Sequence, residues 1–405
     1  METKRERYTP HDVGPSPLDW EAPFLAEVSS LITNGFVGTA TPHYTDESGV
    51  PYFYGKNVRA NYLDPRGIRY ITSEFHAAQS KTALREGDLL TVQSGHIGET
   101  AIVTKEYEGS NCHALIVTRP KKEAVYPQFL SYYINSEMGR ARLKGLEVGS
   151  TILHINTKDL KKFRVLLPPL LEQRKIAKIL STWDKAISNT ERLINNSKQQ
   201  KKALMQQLLT GKKRLLDDSG KPFEGEWEEV MLGEIARIYQ PKTISKSKLT
   251  STGYPVYGAN GIIGNYSDFN HDTEQVAVTC RGSTCGVVNW TLPKSWITGN
   301  AMVVNLDANK RCFKKFIYYL LAGSNLKYLI TGSGQPQITG EIKNHKIFLP
   351  IKDEQEKVAA VLTNADKEVE LLEQQLVDLK QEKKALMQQL LTGKRRVKID
   401  DKEVA

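Results

Sequence analysis

A segment of twelve residues occurs twice in this 405-residue chain, and no other feature restricts the possible folds as strongly. Residues 201–212 and residues 383–394 both read KKALMQQLLTGK, so the two copies lie 182 residues apart. A chain with such a repeat is expected to fold as a duplicated unit. The same offset relates seven flanking pairs: Leu167 and Leu349, Pro168 and Pro350, Glu172 and Glu354, Gln173 and Gln355, Lys175 and Lys357, Asp184 and Asp366, and Lys185 and Lys367.

The regions that precede each copy are related more weakly, and the offset between them changes along the chain. Each half therefore combines a diverged domain with an almost unchanged segment, a contrast that duplication for stability alone does not explain. The matches at an offset of 207 are Trp20, Glu21, Leu25 and Glu27 with Trp227, Glu228, Leu232 and Glu234; those at 187 are Gly95, Ala114, Phe129 and Tyr132 with Gly282, Ala301, Phe316 and Tyr319.

The segments that stayed alike have the pattern of long helices. Residues 172–210 contain no Pro or Gly, and apolar residues recur at spacings of three and four in both copies. This pattern, sustained over about five heptads, predicts two coiled-coil helices of 39 residues, each about 58 Å long. Its polar positions are Thr190, Ser197, Lys201 and Lys383. Its apolar positions are Ile176, Leu180, Trp183, Ile187, Ile194, Leu204 and Leu208 in the first helix, and Val358, Leu362, Ala365, Val369, Leu372, Leu376, Leu379, Leu386 and Leu390 in the second.

Turn-forming residues mark where these helices begin and end. Proline precedes both of them, and Gly211 and Gly393 follow as expected C-caps. The basic clusters 212–214 and 394–396 come next. Their first interpretation is structural, because cations are favoured at a helix C-terminus. Contact with DNA or with a partner protein is the second interpretation.

Two equal helices separated by a domain are most simply paired antiparallel, with one globular head at each end of the pair. We therefore predict an α+β fold, in which two globular heads are joined by two long antiparallel coiled-coil helices related by a pseudo-twofold axis. The helices would hold the heads at a fixed separation. The predicted divisions are an N-terminal segment 1–20, head 1 at 21–168, the first helix at 169–213, head 2 at 214–350, the second helix at 351–397 and a tail at 398–405.

Both heads show short apolar runs between Gly, Asn and Asp, which is the pattern of strands and turns. Residues 41–80 of head 1 match nothing in head 2, so the pairing of strands in that part of head 1 stays open. The predicted strands are 67–71, 88–92, 101–103, 276–279 and 302–304, and helical stretches are predicted at 127–145 and 314–329.

Three loops of head 2 are rich in Gly and small polar residues: 254–264 (YPVYGANGIIG), 279–286 (TCRGSTCG) and 296–303 (WITGNAMV). In head 1, residues 93–100 (QSGHIGET) stand in the place of the second loop. Gly lets the backbone approach a ligand closely, and polar side chains can bond base edges or phosphates. For each residue the alternative is an ordinary β-turn with a solvated polar tip. The candidate DNA contacts are Gln93, Ser94, His96, Tyr257, Asn260, Arg281, Ser283, Thr284 and Lys294, with Arg281 the best candidate for guanine.

The charge balance fits a polyanionic partner without identifying one. The chain has 56 Lys and Arg against 46 Asp and Glu, a net charge of +10, and such an excess favours nucleic acid. No apolar run is long enough for a membrane helix, and the N-terminus does not resemble a signal peptide. Four cysteines, Cys112, Cys280, Cys285 and Cys312, are too scattered for a disulfide framework or a zinc site, which indicates reduced thiols in a cytoplasmic protein.

Motifs that carry catalysis are missing from the sequence. It contains no phosphate-binding Gly-x-x-x-x-Gly-Lys-Ser/Thr loop, no Gly-x-Ser-x-Gly nucleophile turn and no His-Glu-x-x-His zinc motif. The only Pro-Pro pair, Pro168–Pro169, lies in Leu-Pro-Pro-Leu and not in the Asn/Asp-Pro-Pro-aromatic stretch of amino-methyltransferases. Asp88 and Glu99 are expected in solvated turns rather than in a nuclease site. The chain is therefore predicted to have no catalytic residues, metal site or cofactor of its own.

The order of these features resembles one family, the specificity subunits of type I restriction-modification enzymes. In that family a target-recognition domain precedes a long helix that starts with Leu-Pro followed closely by Glu-Gln, and the arrangement is repeated. Here the helices start at Leu167–Pro168 and Leu349–Pro350, and both end in Leu-Leu-Thr-Gly. The loops of head 2 resemble the family's second domain as well. The resemblance extends from Trp20 to Arg396.

This resemblance implies a function and a set of partners. Each head would read one half of a bipartite double-stranded DNA target, and the helices would dock two methyltransferase (modification) subunits, which methylate adenine. Two ATP-dependent restriction (motor-nuclease) subunits would complete the complex. S-adenosylmethionine, ATP and Mg would be held by the partner subunits. The helix residues expected to dock subunits are Trp183, Ile187, Ile194, Leu204, Leu372, Leu376, Leu379 and Leu386.

Other functions also fit the residues taken alone. One is a two-headed DNA-binding regulator or architectural protein that acts without partners. Another is a coiled-coil scaffold that binds only proteins, and a third is an enzyme whose site has no familiar motif. Copurification with a methyltransferase would distinguish a type I specificity subunit from these alternatives.

Overall fold

The computed structural model describes residues 8–11, 14–149, 153–259, 261–332 and 334–399. The chain divides into two compact units, Met1–Asn189 together with Leu376–Ala405 as unit 1, and Thr190–Gln375 as unit 2. Unit 1 is thus built from two separate stretches of sequence, and unit 2 from the single stretch between them. Each unit contains one head and part of both long helices.

The chain up to the end of the first long helix alternates short strands with short helices. The strands are β1 (Tyr8–His11), β2 (Gly14–Pro17), β3 (Ser29–Asn34), β4 (Tyr44–Thr45), β5 (Val50–Phe53), β6 (Val58–Arg59), β7 (Tyr62–Leu63), β8 (Arg69–Ile71), β9 (Leu89–Val92), β10 (Thr100–Ile102), β11 (Asn111–Cys112) and β12 (Leu115–Pro120). The helices are α1 (Ser73–Ala78), α2 (Pro127–Asn135), α3 (Glu137–Lys144), α4 (Thr157–Leu160) and the long helix α5 (Leu170–Leu208).

Two four-stranded sheets form the body of head 1. In the first sheet the strand order is β10-β9-β12-β3, and all neighbours are antiparallel. In the second sheet the order is β11-β5-β8-β4, with β11 parallel to β5 and the other pairs antiparallel. Residues 41–80, which have no match in the sequence of head 2, supply β4, β5 and β8 of this second sheet.

The chain after α5 repeats this alternation. Its strands are β13 (Glu228–Met231), β14 (Arg237–Tyr239), β15 (Tyr254–Gly258), β16 (Gly261–Tyr266), β17 (Val276–Thr279), β18 (Val288–Trp290), β19 (Trp296–Ile297), β20 (Ala301–Asn305), β21 (Ile330–Thr331), β22 (Gln337–Ile338) and β23 (Lys346–Leu349). Its helices are α6 (Leu232–Ile235), α7 (Lys314–Gly323) and the second long helix α8 (Lys352–Leu390).

The sheets of head 2 repeat the strand pairing of those of head 1, except that the second sheet has three strands instead of four. One has the order β14-β20-β17-β18, antiparallel throughout, and corresponds to β3-β12-β9-β10. The other has the order β16-β15-β19, in which β15 and β19 are parallel, as β5 and β11 are in head 1. The predicted duplication of an α+β head is therefore confirmed for the strand pairs that both heads share, whereas β4 and the β6-β7 pair, in residues 41–80, have no counterpart in head 2.

The helical stretches of the heads are more broken than the sequence predicts. Ser136 interrupts the stretch 127–145, because its backbone is extended while its hydroxyl donates to Tyr133 O (2.6 Å) and accepts from Gly139 N–H (3.0 Å). One side chain thus ends α2 and caps α3. The stretch 314–329 likewise divides into α7 and a separate 3₁₀ turn.

Both long helices have the predicted length of 39 residues, and α5 begins and ends two residues before the stretch 172–210 that lacks Pro and Gly. Pro168 and Pro169 lie just before α5, where a missing N–H removes no helical hydrogen bond. Gln173 N–H donates to Pro169 O (3.0 Å) and so closes the first turn directly after the proline pair.

Both long helices end in a left-handed glycine, as predicted. Gly211 has φ of 68° and Gly393 has φ of 70°, a conformation that costs glycine little and other residues more. Beyond Gly211 the chain folds back, and Lys213 N–H donates to Gln207 O (3.1 Å). The second helix has the equivalent bond from Arg395 N–H to Gln389 O (3.1 Å), so the chain turns back over the last helical turn at both ends.

Within unit 2 the two long helices run antiparallel. Arg214, just after α5, pairs with Glu354 in the first turn of α8 (2.6 Å). Lys201, earlier in α5, pairs with Asp366, later in α8. Asp366 also accepts a hydrogen bond from the Tyr319 hydroxyl of head 2 (2.6 Å). A polar position of the predicted seam thus joins both helices to the head.

Unit 1 contains the same three contacts between its own segments. Arg396, just after α8, pairs with Glu172 in the first turn of α5 (2.7 Å). Lys383 of α8 pairs with Asp184 of α5. Asp184 in turn accepts from the Tyr132 hydroxyl of head 1 (2.5 Å). The antiparallel pairing predicted from the repeat is therefore present in each unit.

Each head packs its core against the start of the helix that follows it and the end of the other helix. In unit 1, Leu180 of α5 and Leu390 of α8 share a cluster with Trp20. In unit 2, Leu208 of α5 and Leu362 of α8 belong to one cluster with the interior of head 2. Burial of this apolar surface stabilises the attachment of each head to its helices.

Candidate nucleic-acid interface

The three polar loops of head 2 contact one another. Thr284, in the loop between β17 and β18, donates its hydroxyl hydrogen bond to Ala259 O (3.2 Å), in the turn between β15 and β16. Thr279, at the end of β17, donates to the same carbonyl. Cys280 N–H donates to Asn300 O (3.0 Å), just before β20. The segments 254–264, 279–286 and 296–303 are therefore neighbours. The prediction that all three are loops is wrong in part, because 254–264 lies mostly in β15 and β16, and 296–303 includes β19 and the start of β20.

A fourth segment, which the sequence analysis did not single out, joins these loops. The backbone of Arg281 pairs with that of Gln337 in an antiparallel bridge. On either side of this bridge Gly282 N–H donates to Pro336 O (3.0 Å) and Ile338 N–H donates to Cys280 O (3.0 Å). The loop that carries Arg281 is thus held on a second strand-like segment rather than hanging free.

Arg281 and Ser283 present exposed side chains from this loop. No hydrogen bond or ion pair of the Arg281 guanidinium joins it to any other described residue, so its donors are available to a ligand. Lys294 is exposed too, but it lies in the turn between β18 and β19 with a left-handed φ of 51°. The described contacts do not connect that turn to the loop of Arg281.

Tyr257 lies in the interior of head 2. Its side chain is 6% exposed and belongs to the small cluster that also contains Ile297. Its hydroxyl accepts a hydrogen bond from Leu292 N–H (3.0 Å), and burial raises its pKa. This environment gives Tyr257 a role in fixing the Leu292 backbone, and its DNA contact stays a prediction. Asn260 lies outside the described residues.

The corresponding loop of head 1 is held in the same way. Ser94 pairs with His154 in an antiparallel bridge, and Ile155 N–H donates to Gln93 O (2.9 Å). The exposed His96 donates from Nε2 to the carbonyl of Gly55 (2.9 Å). The structure therefore confirms that residues 93–100 stand in the place of 279–286, between equivalent strands.

Cys280 lies at the base of the loop that carries Arg281. Burial raises the pKa of its thiol, although the side-chain amide of Gln240 donates to Sγ (3.1 Å). The same thiol lies 3.6 Å from Gly299 O. The protonated thiol donates to the Gly299 carbonyl and accepts a hydrogen bond from the Gln240 amide, so it helps to position the loop backbone. Because it is protonated, it is a poor nucleophile.

The Glu-Gln pairs at the helix starts attach each head to the long helices. Glu354 is 1% exposed and binds Arg214 with both carboxylate oxygens. Arg396 binds Glu172 and then Asp19, and these two carboxylates raise its pKa. The basic clusters thus have a structural role at these two arginines, through ion pairs rather than through the helix dipole. The glutamines make matching bonds: Gln173 with Tyr126 N, Ala124 O and Pro168 O, and Gln355 with Phe313 N, Arg311 O and Pro350 O.

Most of the helix residues predicted to dock subunits lie half-buried. Ile194 is buried, and the half-buried ones are Trp183, Ile187, Leu204, Leu372, Leu376, Leu379 and Leu386. Four other apolar residues of the same helices are more exposed: Leu171 at 39%, Leu193 at 50%, Leu371 at 71% and Val377 at 48%. The predicted docking residues stay a prediction, and the exposed four are better placed to contact a partner.

One acidic residue considered for catalysis has a structural role instead. Asp88 is 1% exposed and forms an ion pair with Arg119 (2.7 Å), so the expectation of a solvated turn is wrong for this residue. Glu99 is half-buried and lies 3.6 Å from His96. In the part of the chain that the structure describes, no group of three or more His, Cys, Asp or Glu side chains could hold a metal ion. The same part contains no helix with the length and apolar character required to cross a membrane.

The two halves of the chain both match one family model, described as the type I restriction modification DNA specificity domain. The matched residues are 17–198 and 224–381. This chain belongs to the type I restriction DNA specificity family. Each match covers one head and most of the helix after it, so the family's domain is the duplicated unit.

Relatives in this family resemble the chain over nearly its whole length. The MjaX type I specificity subunit of Methanocaldococcus jannaschii is 28% identical, with 98% of each chain covered. The MjaVIII specificity subunit of the same organism is 27% identical, with 94% of each chain covered. The EcoprrI specificity subunit of Escherichia coli is 24% identical over 84% of this chain and 86% of that one.

Solved structures of the family share the fold. A type I S subunit from M. genitalium superposes with a TM-score of 0.61 at 16% identity, covering 94% of this chain and 97% of that one. A chain from a study of assembly and conformational transition in the type I system gives a TM-score of 0.58 at 18% identity, covering 94% and 99%. The predicted fold class is therefore confirmed.

The hairpin-like segments that support the polar loops could have been found from the sequence. Residues 149–157 (GSTILHINT) and 332–340 (GSGQPQITG) align at an offset of 183. Gly149 and Gly332 both adopt left-handed φ, and Asn156 and Thr339 both cap the turn that follows. This repeat is hard to detect because few of its residues are identical and its offset differs from those of its neighbours.

Proposed function

We propose that this chain is the DNA-reading subunit of a type I restriction-modification complex, and that each head reads one half of a bipartite double-stranded target. The observation that carries the proposal is the duplicated head, one topology with a different set of polar loop residues in each copy. Equal scaffolds with different loops place different donors and acceptors against base edges. Two half-sites of unrelated sequence can then be read by one fold.

The residues proposed to contact DNA lie on the supported loops. In head 2 these are Arg281, Ser283 and the exposed Gln337. In head 1 they are the exposed Ser94 and His96. Backbone bridges hold both loops, and a held loop loses less conformational entropy when it binds. Phosphate contacts from the basic surface would add affinity without sequence information.

We further propose that two modification subunits dock on the helices, one on each copy of the repeat. Ala203 and Gln207 are exposed in the first copy, and their counterparts Ala385 and Gln389 are exposed in the second. Core packing does not explain why exposed residues are identical in two copies whose heads have diverged. Equal surfaces that bind the same partner do explain it, which supports a complex with two copies of one partner.

The chemistry of the complex belongs, in this proposal, to the partners. S-adenosylmethionine would bind the modification subunits, which methylate adenine, and ATP and Mg would bind two restriction subunits. The sequence of this chain has neither a methyltransferase motif nor a phosphate-binding loop. Because the complex acts on cellular DNA, we place it in the cytoplasm.

An exchange of one head tests the division of labour. Residues 226–350 are replaced by the matching domain of a relative with a known target, and the chimera is expressed with the modification subunit. Genome-wide mapping of methylated sites should show one half-site changed and the other retained.

The matched control exchanges residues 21–168 and should change the other half-site. If either exchange alters both halves, or neither half, the heads do not read DNA separately and the proposal fails. Loss of all methylation in both chimeras is distinguished from misfolding by measuring whether each chimera still binds the modification subunit.

A further inference from the structure

A cation-lined groove lies within unit 2, between the end of α5 and the turn that ends α7. It encloses about 730 Å³. Apolar side chains, among them Met205, Leu209 and Leu320, form part of its lining. The lysines that line it are Lys198, Lys201, Lys202 and Lys212.

Only some of these lysines are neutralised inside the chain. Lys198 pairs with Glu373 (2.6 Å), and Lys201 pairs with Asp366. Lys202 has no ion-pair partner among the described residues, and the same holds for Lys212. The groove therefore keeps uncompensated positive charge next to apolar surface.

Unit 1 contains the sister groove, which encloses about 410 Å³ and is lined by the second copy of the repeat. It differs in that a carboxylate from the head reaches the lysine and glutamine of the repeat, whereas the lining carboxylate of the unit 2 groove, Asp366, pairs with Lys201. Glu137, the first residue of α3, accepts a hydrogen bond from the Gln388 side-chain amide (2.7 Å) and lies 3.4 Å from the Lys384 ammonium. A lysine and a glutamine one turn apart thus form a carboxylate-binding pair.

The same pair is present in unit 2 without a carboxylate. Lys202 and Gln206 are the counterparts of Lys384 and Gln388 in the repeat. The turn that ends α7, Gly323–Asn325, contains no acidic residue, and Ser324 directs its hydroxyl to Leu320 O (2.7 Å).

We infer that the groove of unit 2 receives a carboxylate side chain of the modification subunit, in the place that Glu137 fills in unit 1. This inference rests on the proposed function, since it names the chemistry of one docking contact. A protein carboxylate fits better than a DNA phosphate for two reasons. The occupant of the sister groove is a carboxylate, and the apolar lining suits the stem of a Glu or Asp on a packed protein surface.

The inference makes the two docking sites unequal. The site on unit 2 gains an ion pair with the partner, whereas the equivalent lysine and glutamine on unit 1 are already occupied by Glu137. One modification subunit should therefore bind more tightly than the other. The difference should shrink at high salt, because ion pairs at an accessible groove are screened.

The test places the missing acid in unit 2. Ser324→Glu should supply an internal carboxylate to Lys202 and weaken the tighter of the two binding steps by about three- to tenfold. Ser324→Gln has nearly the same size without the charge, and should leave both steps within about twofold of the wild type. Binding of the purified modification subunit encoded with this chain is measured by titration calorimetry, with native mass spectrometry to count bound copies.

A second variant keeps the test independent of folding at position 324. Lys202→Ala, on the exposed face of α5, should weaken the same step as Ser324→Glu, and the two changes together should weaken it no further. If the wild type and all variants bind two modification subunits with equal affinity, the inference is wrong and the proposed function stands. If the wild type binds no modification subunit, both are wrong. If Ser324→Glu instead weakens DNA binding by the chain alone, the groove binds phosphate and the inference is overturned.

Discussion

Arg281 is the residue of head 2 best placed to contact a base. Its side chain is exposed, while its backbone is fixed by the bridge to Gln337 and by the bonds on either side. A guanidinium on a fixed backbone can donate two hydrogen bonds to the O6 and N7 acceptors of guanine. The loop therefore presents the Arg281 guanidinium to solvent from a backbone whose position is fixed.

Replacing Arg281 should reveal whether it reads a base. Arg281→Ala is expected to cost about 1–3 kcal/mol of specific binding and to relax one base position, because one bidentate contact is lost. Binding of the assembled complex to a library of single-base variants of its target measures both effects. Arg281→Lys keeps the charge but loses the paired geometry, so it should relax the same position. An equal loss on every sequence would identify a phosphate contact instead.

For single residues, the sequence predicts the polar segments but not the exposure of each side chain in them. The loops could be predicted because Gly and small polar residues cluster in them, and their mutual contacts follow from strand pairing. Which side chains face outward could not be predicted, since period-two patterns fail in irregular loops. Arg281 is exposed but Tyr257 is buried, although both were proposed from the same composition. Tyr257 belongs to the core because its ring packs beside Ile297.

At the scale of secondary-structure elements, the ends of the long helices carry the strongest polar contacts. A buried glutamate in the first turn of each helix binds an arginine just beyond the end of the other helix. The two contacts, Glu354 with Arg214 and Glu172 with Arg396, are counterparts in the repeat. Each lies inside one unit, so each can be weakened without changing the other.

Glu354→Gln should destabilise unit 2 and leave unit 1 unchanged. The substitution keeps the side chain's shape but removes its charge, so Arg214 loses its ionic partner at a buried site. We expect a loss of about 1–3 kcal/mol in the local stability of unit 2, reduced from the value for fully buried pairs because Arg214 is partly exposed. Hydrogen exchange along α8 and head 2 measures it. Glu172→Gln is the matched control, and should loosen only unit 1, by a smaller amount because Arg396 keeps its ion pair with Asp19; equal loosening of both units by either change would contradict this assignment.

The elements were predictable to different degrees for physical reasons. A heptad pattern repeated twice predicts helix length well, because it is set by many residues, and both helices have the 39 residues expected. The break at Ser136 was not predicted, because serine occurs in helices and its capping role depends on bonds to Tyr133 and Gly139. Strand pairing in residues 41–80 depends on distant partners such as β11, which a single sequence does not reveal.

At the scale of the whole molecule, the long helices are the segments shared by the two units. The boundary between the units crosses α5 after Asn189 and α8 after Gln375. Residues inserted at those two points leave the ion pairs of Arg396 with Glu172 and of Arg214 with Glu354 within their own units. The points are therefore suited to testing whether helix length sets the unread gap in the DNA target.

Inserting one heptad at both points should lengthen the gap. Seven residues add about 10 Å to each helix, and DNA rises about 3.4 Å per base pair, so the gap should grow by about three base pairs. Seven residues are close to two helical turns, so the apolar faces stay paired. Both half-sites should be retained, because neither head changes. Methylated sites mapped in cells that carry the variant give the gap directly.

Two companion variants separate length from disruption. Two residues inserted at both points rotate the following helix by about 200° and should abolish methylation, because they turn apolar faces to water. A heptad inserted only after Asn189 should also fail, since it misaligns the helices. A fully active paired heptad variant with an unchanged gap would show that the helices are not the spacer.

The nesting of one contiguous unit inside a discontinuous one has a consequence for synthesis. A ribosome adds about 5–20 residues each second. Once it has added Gln375, every residue of unit 2 has been synthesised. Unit 1 must wait for Leu376–Ala405, which brings Leu390 to the cluster of Trp20 and Leu180. A truncated message, or a protease cut that removes only Leu376–Ala405, would leave unit 2 complete and the core of head 1 uncovered. Loss of Leu376–Ala405 would thus affect head 1, which is synthesised before head 2.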